Sequence, residues 1–534
     1  MYKSYLILKM KLIKHFPLWL FSGILYGMSW PIFKGINLSF LAWFAFVPLF
    51  VYLEKNKNKF IKSILGGYAA MVIFGCFSAA WLFNFPQEKL KIAIVFFIEE
   101  IWFTIPFLFF YVIQKKIDFD KTLWLFPFIW IVWEWIYLNL EFTMGTHLSA
   151  YSQSNNLWLI QYIDITGMWG VSFWLMLFNV LIFKAYKEVN YSFSNILKYK
   201  KLKVIFLFML GVPFAYGGYS YNKYNNLKGK SIQVSVIPTQ YSAKILKDYK
   251  NSFRVVEETL RKTDSIAFNM KDRNLFSDLY LWPESGLSFT MQQSNLSALL
   301  FESVGDWKSA LITGGRRITD RTKTNDKLKY VSGILISHKN KQPIYHNKTV
   351  LTPGIEAIPY HSFLSKYSKF AIKETDDRFF KKGEKSKPLK LITKENEKFL
   401  VGVSLCYEQW YPQHWAELAK NGANFYTHLA AEGWYGNIGF KSFMLNVTRM
   451  RTIENRKQTA RSANIGYSGF IDQLGRFELI PKKKTFEALN KKITAFKKTT
   501  FYAEHQNWFP ILCLVIFFKL FYLLYKIKPF LNNF

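Results

Sequence analysis

The stretch Phe399–Glu408 reads FLVGVSLCYE, and the fold assignment depends on it. Its residues are apolar or small up to Leu405, a pattern typical of a strand buried inside a sheet. Cys406 follows directly, with Tyr407 and Glu408 after it. Open α/β sheets place their reactive groups at the carboxyl ends of strands. We therefore expect Cys406 to lie at the edge of a buried sheet, as a candidate nucleophile.

Two more predicted strands end at a charged residue. Glu284 follows the apolar strand 277–282 in the sequence LWPES, and Lys348 follows a strand in the sequence YHNK. Each residue also has an ordinary structural interpretation. A lone Cys is usually a small buried hydrophobe, a Glu after Pro usually belongs to a surface turn, and a Lys after a strand is usually solvated. Their shared position at strand ends favours a common site.

The segment around these residues is predicted to form an α/β domain. Near-continuous apolar strands alternate with helical patterns, which is typical of sheets covered by helices. A polar stretch at 360–398 is expected to form a long surface loop. The predicted strands are 231–237, 277–282, 309–313, 331–337, 399–405 and 423–429, and the predicted helices are 250–263, 413–421 and 440–457.

The rest of the 534-residue chain is dominated by long apolar stretches. A helix needs about 20 predominantly apolar residues to cross the hydrocarbon core of a bilayer. We therefore predict a polytopic α-helical membrane bundle of about eight spans in addition to the α/β domain. The predicted spans are 16–33, 38–54, 63–85, 90–113, 122–140, 166–183, 203–219 and 508–525.

The lysines that flank the predicted spans indicate the orientation of the chain. Nineteen lie on one side of the membrane and three on the other, which places both termini in the cytoplasm by the positive-inside rule. The predicted parts are an N-terminal bundle of about seven helices at 1–219, an outward-facing domain at 220–507, and a closing helix with a short cytoplasmic tail at 508–534. In a bacterium, the domain would face the periplasm from the inner membrane.

The net charge of +34 would ordinarily favour a nucleic-acid partner. Part of this charge marks the cytoplasmic edge of the spans, and residues 220–507 carry 47 Lys and Arg against 26 Asp and Glu. Because the charge sits at membrane flanks and on an exported domain, we expect no nucleic-acid partner.

The three Cys exclude a multi-disulfide secreted scaffold. Cys76 and Cys513 fall in predicted spans, so Cys406 is the only thiol of the predicted exported domain. An unpaired thiol in an oxidising compartment favours a functional role.

Three carboxylates, Glu99, Glu100 and Glu134, fall inside predicted spans. Ionisable groups are costly in a bilayer, and they usually face the bundle interior or water. The sequence leaves open whether these groups serve helix packing or a substrate path.

The order Glu284, Lys348, Cys406 and the local motifs resemble the nitrilase superfamily. With membrane spans on both flanks, they resemble specifically its membrane-bound branch, the apolipoprotein N-acyltransferase family, over nearly the whole chain. The resemblance implies a nitrilase-like αββα sandwich for the outward domain. It also implies a catalytic triad in which Glu284 is the general base, Lys348 stabilises the thiolate and the oxyanion, and Cys406 is the nucleophile.

Further motifs of the same family imply supporting positions. Glu356 matches the second glutamate of the loop after the lysine, Tyr407 and Glu408 follow the nucleophile, and Trp434 lies in a Trp-Tyr-Gly motif. We expect neither a cofactor nor a metal. One departure is the triplet Ala430-Ala431-Glu432, where the family usually has Ser-Asn-Asp. This departure concerns substrate contacts and loop geometry more than the triad.

The implied activity is transfer of a fatty acyl chain from a membrane phospholipid, through a thioester on Cys406, to the N-terminal amine of the diacylglyceryl-cysteine of apolipoproteins. This is the last step of lipoprotein maturation. The implied partners are the phospholipid donor, the diacylated apolipoprotein acceptor and the lipid bilayer, with the enzyme acting as a monomer. Two alternatives stay open: a membrane-tethered nitrilase-type amidohydrolase, and a catalytically inactive homologue that binds lipoproteins.

Overall fold

In the computed structural model, the chain forms a helical bundle and a two-sheet α/β sandwich. The lysines that precede the first predicted span lie outside the described residues. The structure describes residues 17–33, 35–84, 89–239, 241, 249–272, 275–284, 286–287, 290–291, 296–320, 327–361, 363, 379–433, 436, 438–481 and 488–526.

The bundle is built from apolar helices with short 3₁₀ turns between them. Its 3₁₀ turns are Ser39–Trp43, Ala80–Asn84 and Ser149–Gln153. Its helices are Leu18–Met28, Val47–Lys55, Phe60–Ser78, Lys89–Trp102, Ile105–Ile117, Phe119–Leu138, Ile163–Thr166, Met168–Glu188, Phe193–Lys198 and Lys200–Tyr224 before the sandwich, and Phe501–Glu504 and Trp508–Lys526 after it.

Five of the described helices are long and apolar enough to cross a membrane, and each overlaps a predicted span. The predicted span 16–33 contains only the 11-residue helix Leu18–Met28, and 38–54 is divided between a 3₁₀ turn and the helix Val47–Lys55. The number of eight spans therefore stays a prediction. The five candidate spans are Phe60–Ser78, Ile92–Ile117, Met168–Glu188, Lys200–Tyr224 and Trp508–Lys526. The second of them includes most of the helix Lys89–Trp102 and all of the helix Ile105–Ile117.

Small residues allow the first helices of the bundle to pack closely. A Cβ added at Gly23 would lie 2.5 Å from the carbonyl oxygen of Ala70 on the helix Phe60–Ser78. Such close backbone approach is typical of helices that associate in a membrane. Nearby, the rings of Tyr26 and Phe74 stack with their centroids 4.4 Å apart, so the gap between helices is filled by aromatic side chains.

The α/β domain contains two six-stranded sheets. Its strands are β1 Lys230–Val236, β2 Leu279–Leu281, β3 Ala310–Asp320, β4 Lys327–Ser337, β5 Ile344–Asn347, β6 Leu389–Ile392, β7 Lys398–Leu405, β8 Phe425–Ala431, β9 Thr459–Asn464, β10 Gly469–Ile471, β11 Phe477–Leu479 and β12 Leu489–Ala495. The first sheet has the order β12-β1-β2-β3-β4-β5 and the second the order β11-β10-β9-β8-β7-β6. In each sheet three adjacent strands, β1-β2-β3 or β7-β8-β9, are parallel.

The two sheets pack face to face, with helices on both outer faces. Side chains of both sheets, such as Val234 and Val403, form one buried apolar cluster between them. The helices Tyr249–Asp272 and Leu296–Trp307 cover the first sheet. The helices Pro412–Lys420 and Ile438–Asn455 cover the second, and their apolar side chains continue into the core of the helical bundle. This αββα arrangement confirms the predicted fold class.

All six predicted strands are present, with shifted ends, and the three predicted helices correspond to Tyr249–Asp272, Pro412–Lys420 and Ile438–Asn455. The prediction of a loop over 360–398 is wrong at its end, because β6 lies there and pairs with β7. The residues of β6, LKLI, alternate between buried and less buried positions, so this edge strand lacks a continuous apolar run. The strand expected before Lys348 corresponds to β5, whereas β9, β10, β11 and β12 were not predicted.

A buried ion pair and buried hydrogen bonds join the sandwich to the bundle. The guanidinium of Arg456, at the end of the helix Ile438–Asn455, lies 2.9 Å from Asp164 Oδ2 and 2.6 Å from Gln161 Oε1. Glu454 Oε1 accepts a hydrogen bond of 3.0 Å from the backbone N of Met168. These contacts hold the segment before the helix Met168–Glu188 against the domain, so the two parts share a continuous buried interface.

Candidate active site

Glu284, Lys348 and Cys406 meet at one edge of the sandwich. They follow β2, β5 and β7 respectively, so each is placed by the end of a strand. Lys348 Nζ lies 3.0 Å from Glu284 Oε1 and 2.8 Å from Glu356 Oε1. The lysine side chain is 1% exposed, whereas the two glutamates are 12% and 15% exposed. The structure therefore brings the predicted triad together, with Glu356 as a fourth member.

The backbone turns sharply at Cys406. Its φ is +41°, in the left-handed region that residues with a side chain rarely adopt. The residue opens a 3₁₀ turn, Cys406–Trp410, directly after β7. Its thiol hydrogen-bonds with Glu284, and the backbone N–H of Ala431 donates to its sulfur. Such strained positions cluster at functional sites, where the surrounding structure holds them in place.

Burial and charge act in opposite directions on the titrating groups of this cluster. Burial raises the pKa of Glu284, Lys348 lowers it, and Glu356 raises it again, so that the pKa lies above the ordinary value. Burial alone would lower the pKa of Lys348, but the two carboxylates raise it well above its usual range. Burial and Glu284 raise the pKa of the Cys406 thiol. The resting site therefore contains a protonated thiol beside a charged ammonium group, and the thiol is hydrogen-bonded to the Glu284 carboxyl group.

The loop that carries Glu356 is closed on itself. Glu356 Oε2 accepts a hydrogen bond of 2.7 Å from the backbone N of Thr352, while its Oε1 contacts Lys348. Gly354, between them, has a φ of +73°, which glycine adopts without steric cost. The loop thus fixes Glu356 in a position that orients the lysine.

Glu408 is fully buried beneath the site and binds to both sides of it. Its Oε1 accepts from Thr349 N at 2.6 Å, and its Oε2 accepts from Leu405 N at 2.8 Å. Burial alone would raise the pKa of this carboxyl group, but His414, His346 and the backbone N–H of Leu405 hold it well below the usual range. Glu408 is therefore a charged, hydrogen-bonded support rather than an exposed reacting group.

Among the described residues, His346, Glu408 and His414 form a group whose ligand atoms all lie within 4.8 Å of one another, as in a metal site. The imidazole Nε2 atoms of His346 and His414 lie 3.7 and 3.4 Å from Glu408 Oε2. Burial lowers the pKa of His414 to about 4, so its ring is neutral at neutral pH. Both oxygens of Glu408 already accept backbone hydrogen bonds. We therefore interpret the three residues as a buried hydrogen-bonding group that stabilises the structure around the site. Neither histidine is predicted from the sequence as part of the site, although His346 stands inside the motif YHNK.

The departure Ala430-Ala431-Glu432 lies at the end of β8, next to Cys406. Ala431 contributes its backbone N–H to the sulfur of Cys406, which does not depend on its side chain. Glu432 is buried and forms an ion pair with Arg461 of β9, which is buried as well. Glu432, the acidic residue of the triplet, therefore joins the carboxyl end of β8 to the neighbouring strand β9. Arg461 was not singled out from the sequence, because a single basic residue in a strand pattern carries no signal for its partner.

The remaining two supporting predictions have different outcomes. Tyr407 is buried, and its hydroxyl donates a hydrogen bond of 2.5 Å to the carbonyl oxygen of Thr143 in the helical bundle. Trp434 lies outside the described residues.

Two family models match the chain. The N-terminal domain of apolipoprotein N-acyltransferase matches residues 22–181, and carbon-nitrogen hydrolase matches residues 254–487. The chain is 28% identical to apolipoprotein N-acyltransferase of Chlorobaculum tepidum, with 95% of both chains covered. It is 24% identical to apolipoprotein N-acyltransferase 1 of Treponema denticola, with 92% of this chain and 93% of the relative covered.

The solved structures that are similar include the carbon-nitrogen hydrolase from Helicobacter pylori G27. The match has 16% identity and a TM-score of 0.34, and it covers 53% of this chain and 94% of that chain. An amidase from Nesterenkonia sp. matches with 14% identity and a TM-score of 0.34, covering 53% of this chain and 98% of that chain.

Proposed function

Since the chain belongs to the apolipoprotein N-acyltransferase family, the membrane-bound branch of the nitrilase superfamily, we propose that it transfers a fatty acyl chain from a phospholipid to the N-terminal amine of diacylated apolipoproteins. The observation that carries this proposal is the cluster in which Lys348 Nζ contacts Glu284 and Glu356 beside Cys406. A nucleophile, a base and a cation in contact are what acyl transfer requires.

In the first half-reaction, Cys406 attacks the ester carbonyl of the phospholipid. Glu284 accepts the proton of the thiol as the bond between sulfur and carbon forms. Lys348 and the backbone N–H after the nucleophile stabilise the negative charge on the carbonyl oxygen. The ester C–O bond then breaks, and the lysophospholipid alcohol leaves with the proton held by Glu284. A thioester on Cys406 remains.

In the second half-reaction, the amine of the diacylglyceryl-cysteine attacks the thioester. Glu284 accepts a proton from the amine while Lys348 again stabilises the oxyanion. The C–S bond breaks, Glu284 returns its proton to the thiolate of Cys406, and an amide is released. Glu356 assists by holding Lys348 in place, and Tyr407, Glu408 and Trp434 are proposed to support the site.

The proposed location is the bacterial inner membrane, with both termini in the cytoplasm and the catalytic domain at about 220–507 facing the periplasm. The five apolar helices support a multi-pass membrane protein, and the lysine distribution supports this orientation. Both substrates are anchored in one leaflet, so a domain held between membrane helices meets them at the bilayer surface. We propose that the enzyme acts as a monomer on the phospholipid donor and the lipoprotein acceptor.

The test uses purified full-length protein in detergent, a phospholipid and a diacylated lipopeptide. We expect an acyl-sized mass gain on Cys406 with phospholipid alone, and transfer of that mass to the lipopeptide when it is added. Cys406→Ala should lack both, and the matched control Cys76→Ala, in the helix Phe60–Ser78, should keep both. Full transfer by Cys406→Ala would overturn the mechanism.

A second candidate function is hydrolysis, which the match to the carbon-nitrogen hydrolase family favours. Water would then replace the amine in the second half-reaction. The same assay separates the two functions, because free fatty acid without lipopeptide acylation indicates hydrolysis. No acylation of Cys406 would instead indicate an inactive homologue that binds lipoproteins.

A further inference from the structure

A second group of ionisable side chains lies inside the helical bundle. Glu99 and Glu100 belong to the helix Lys89–Trp102, and His147 belongs to the segment that follows the helix Phe119–Leu138. All three are at most 1% exposed. Ionisable groups within membrane helices are costly and usually have a function. Their contacts indicate a role other than the two that the sequence left open.

His147 connects its own segment to two helices. Its Nε2 lies 2.9 Å from Glu100 Oε1 and 3.3 Å from Ser78 Oγ. Its Nδ1 lies 2.9 Å from Thr146 Oγ1. These contacts hold the end of the segment Thr143–His147 against the bundle.

Tyr137 and Glu99 hold the beginning of the same segment. The hydroxyl of Tyr137 accepts hydrogen bonds from the backbone N of Met144, at 3.2 Å, and of Gly145, at 3.0 Å. The same hydroxyl donates to Glu99 Oε1. The carboxylate therefore orients a phenol that binds two successive backbone N–H groups, and the conformation of the segment depends on it.

The opposite side of this segment touches the turn that carries the nucleophile. Thr143 O accepts a hydrogen bond of 2.5 Å from the hydroxyl of Tyr407, and Thr143 Oγ1 lies 2.9 Å from the hydroxyl of Tyr411. A Cβ added at Gly145 would lie 2.9 Å from the Cβ of Trp410. The segment Thr143–His147 thus packs directly against the turn Cys406–Trp410.

We propose that Glu99, Glu100, His147 and Tyr137 are positioning residues for the formation of the thioester on Cys406. They fix the segment Thr143–His147, which holds Tyr407 and thereby the strained backbone of the nucleophile. This inference rests on the proposed function. It replaces the alternatives of plain helix packing and a substrate path, since the contacts lead to the catalytic turn. In the proposed half-reactions, Glu284 passes the thiol proton to the lysophospholipid and the amine proton back to Cys406. The reaction therefore requires no proton from Glu99, Glu100 or His147.

The first test compares matched variants of the full-length protein in detergent with phosphatidylethanolamine as the acyl donor. We expect Tyr137→Phe and Glu99→Gln to lower the rate of thioester formation by between about tenfold and a hundredfold, with the KM for the phospholipid unchanged. Tyr26→Phe and Glu134→Gln are the controls. Both are buried in the same bundle, and both bind Ser149 rather than the segment Thr143–His147, so they should keep the wild-type rate.

A double-mutant cycle separates positioning from a general loss of stability. If Tyr137 acts through the segment that binds Tyr407, the two substitutions should not have additive effects. The double variant Tyr137→Phe/Tyr407→Phe should then form the thioester at nearly the same rate as the less active of the two single variants. Losses that multiply would overturn the proposal. Wild-type rates for both Tyr137→Phe and Glu99→Gln, or equal losses in the controls, would overturn it as well.

Hydrogen exchange provides a measurement that does not depend on the proposed reaction. We expect the peptide that contains residues 405–411 to exchange faster in Tyr137→Phe and Glu99→Gln than in wild type and in the two controls. A wild-type protein that forms no thioester would refute the proposed function. Unchanged exchange of this peptide in the variants would refute the inference about positioning, whatever the reaction is.

Discussion

Thr349 donates two hydrogen bonds to the same oxygen of Glu408, from its backbone N at 2.6 Å and from its Oγ1 at 2.9 Å. The other oxygen of Glu408 accepts a hydrogen bond from the residue before Cys406. Thr349 itself follows Lys348 in the chain. The strands that precede Lys348 and Cys406 belong to different sheets, so one buried carboxylate sets the separation of these two residues across the sandwich.

Replacement of Glu408 should therefore disturb catalysis without removing a reacting group. In Glu408→Gln, one acceptor oxygen becomes a donor that faces a backbone N–H. We expect thioester formation to slow by about a hundredfold and the free energy of unfolding to fall by about 1–3 kcal/mol. Intact-mass kinetics and denaturant titration measure the two effects. The control Glu417→Gln, on the helix Pro412–Lys420, should leave both unchanged; a wild-type rate in Glu408→Gln would contradict the supporting role.

Lys348 should be needed for its charge and for its shape. Lys348→Met removes the ammonium group from between Glu284 and Glu356, and we expect thioester formation to slow by at least about 10²–10³-fold, the cost of losing one oxyanion donor. Lys348→Arg should not restore the rate, because the planar guanidinium does not fit a site built for a single nitrogen. Single-turnover acylation measures both variants, and the exposed Lys341→Met is the control. Wild-type acylation by Lys348→Met would argue against the oxyanion role.

The strand ends at the site could be predicted because their signal is local. An apolar run such as the one before Cys406 indicates a buried strand and also indicates where it ends. The partners of Glu408 could not be predicted in the same way, since Thr349 and His414 meet it only after two sheets and a helix have packed. The short edge strand β6 was missed because its alternating residues resemble those of a polar loop.

The membrane part shows a different limit of prediction from sequence. Hydropathy measures how apolar a stretch is, but it does not show where the helix stops. The stretch 16–33 is apolar, yet its helix ends at Met28, and Pro31 lies in the turn that follows. The sequence marks the three carboxylates in apolar helices as unusual. It does not predict that Glu99 is connected to Tyr407 through Tyr137 and the segment Thr143–His147, because those contacts form only in the folded chain.

The buried pair of Glu432 and Arg461 should matter for stability more than for chemistry. Arg461→Met leaves a buried carboxylate without its partner, and we expect the free energy of unfolding to fall by about 3–5 kcal/mol. The double variant Glu432→Leu/Arg461→Met should recover much of that loss, because neither charge is then left alone. Thermal unfolding of the detergent-solubilised protein measures both. If the single variant Arg461→Met and the double variant lost the same free energy of unfolding, the unpaired Glu432 carboxylate would have no cost, and the stabilising role of the pair would be contradicted.

The acid limb of the pH–rate profile should report Glu284. This residue must be ionised to accept the thiol proton, and its pKa is raised above 4.5 by burial and by Glu356, so thioester formation should be lost on acidification at a pH above 4.5. Glu356→Gln removes the neighbouring negative charge, which lowers the pKa of Glu284 and should move the acid limb to lower pH, even where the maximal rate also falls. The exposed Glu395→Gln should leave the limb in place. An acid limb that moves to higher pH in Glu356→Gln, or does not move, would show that another group controls it.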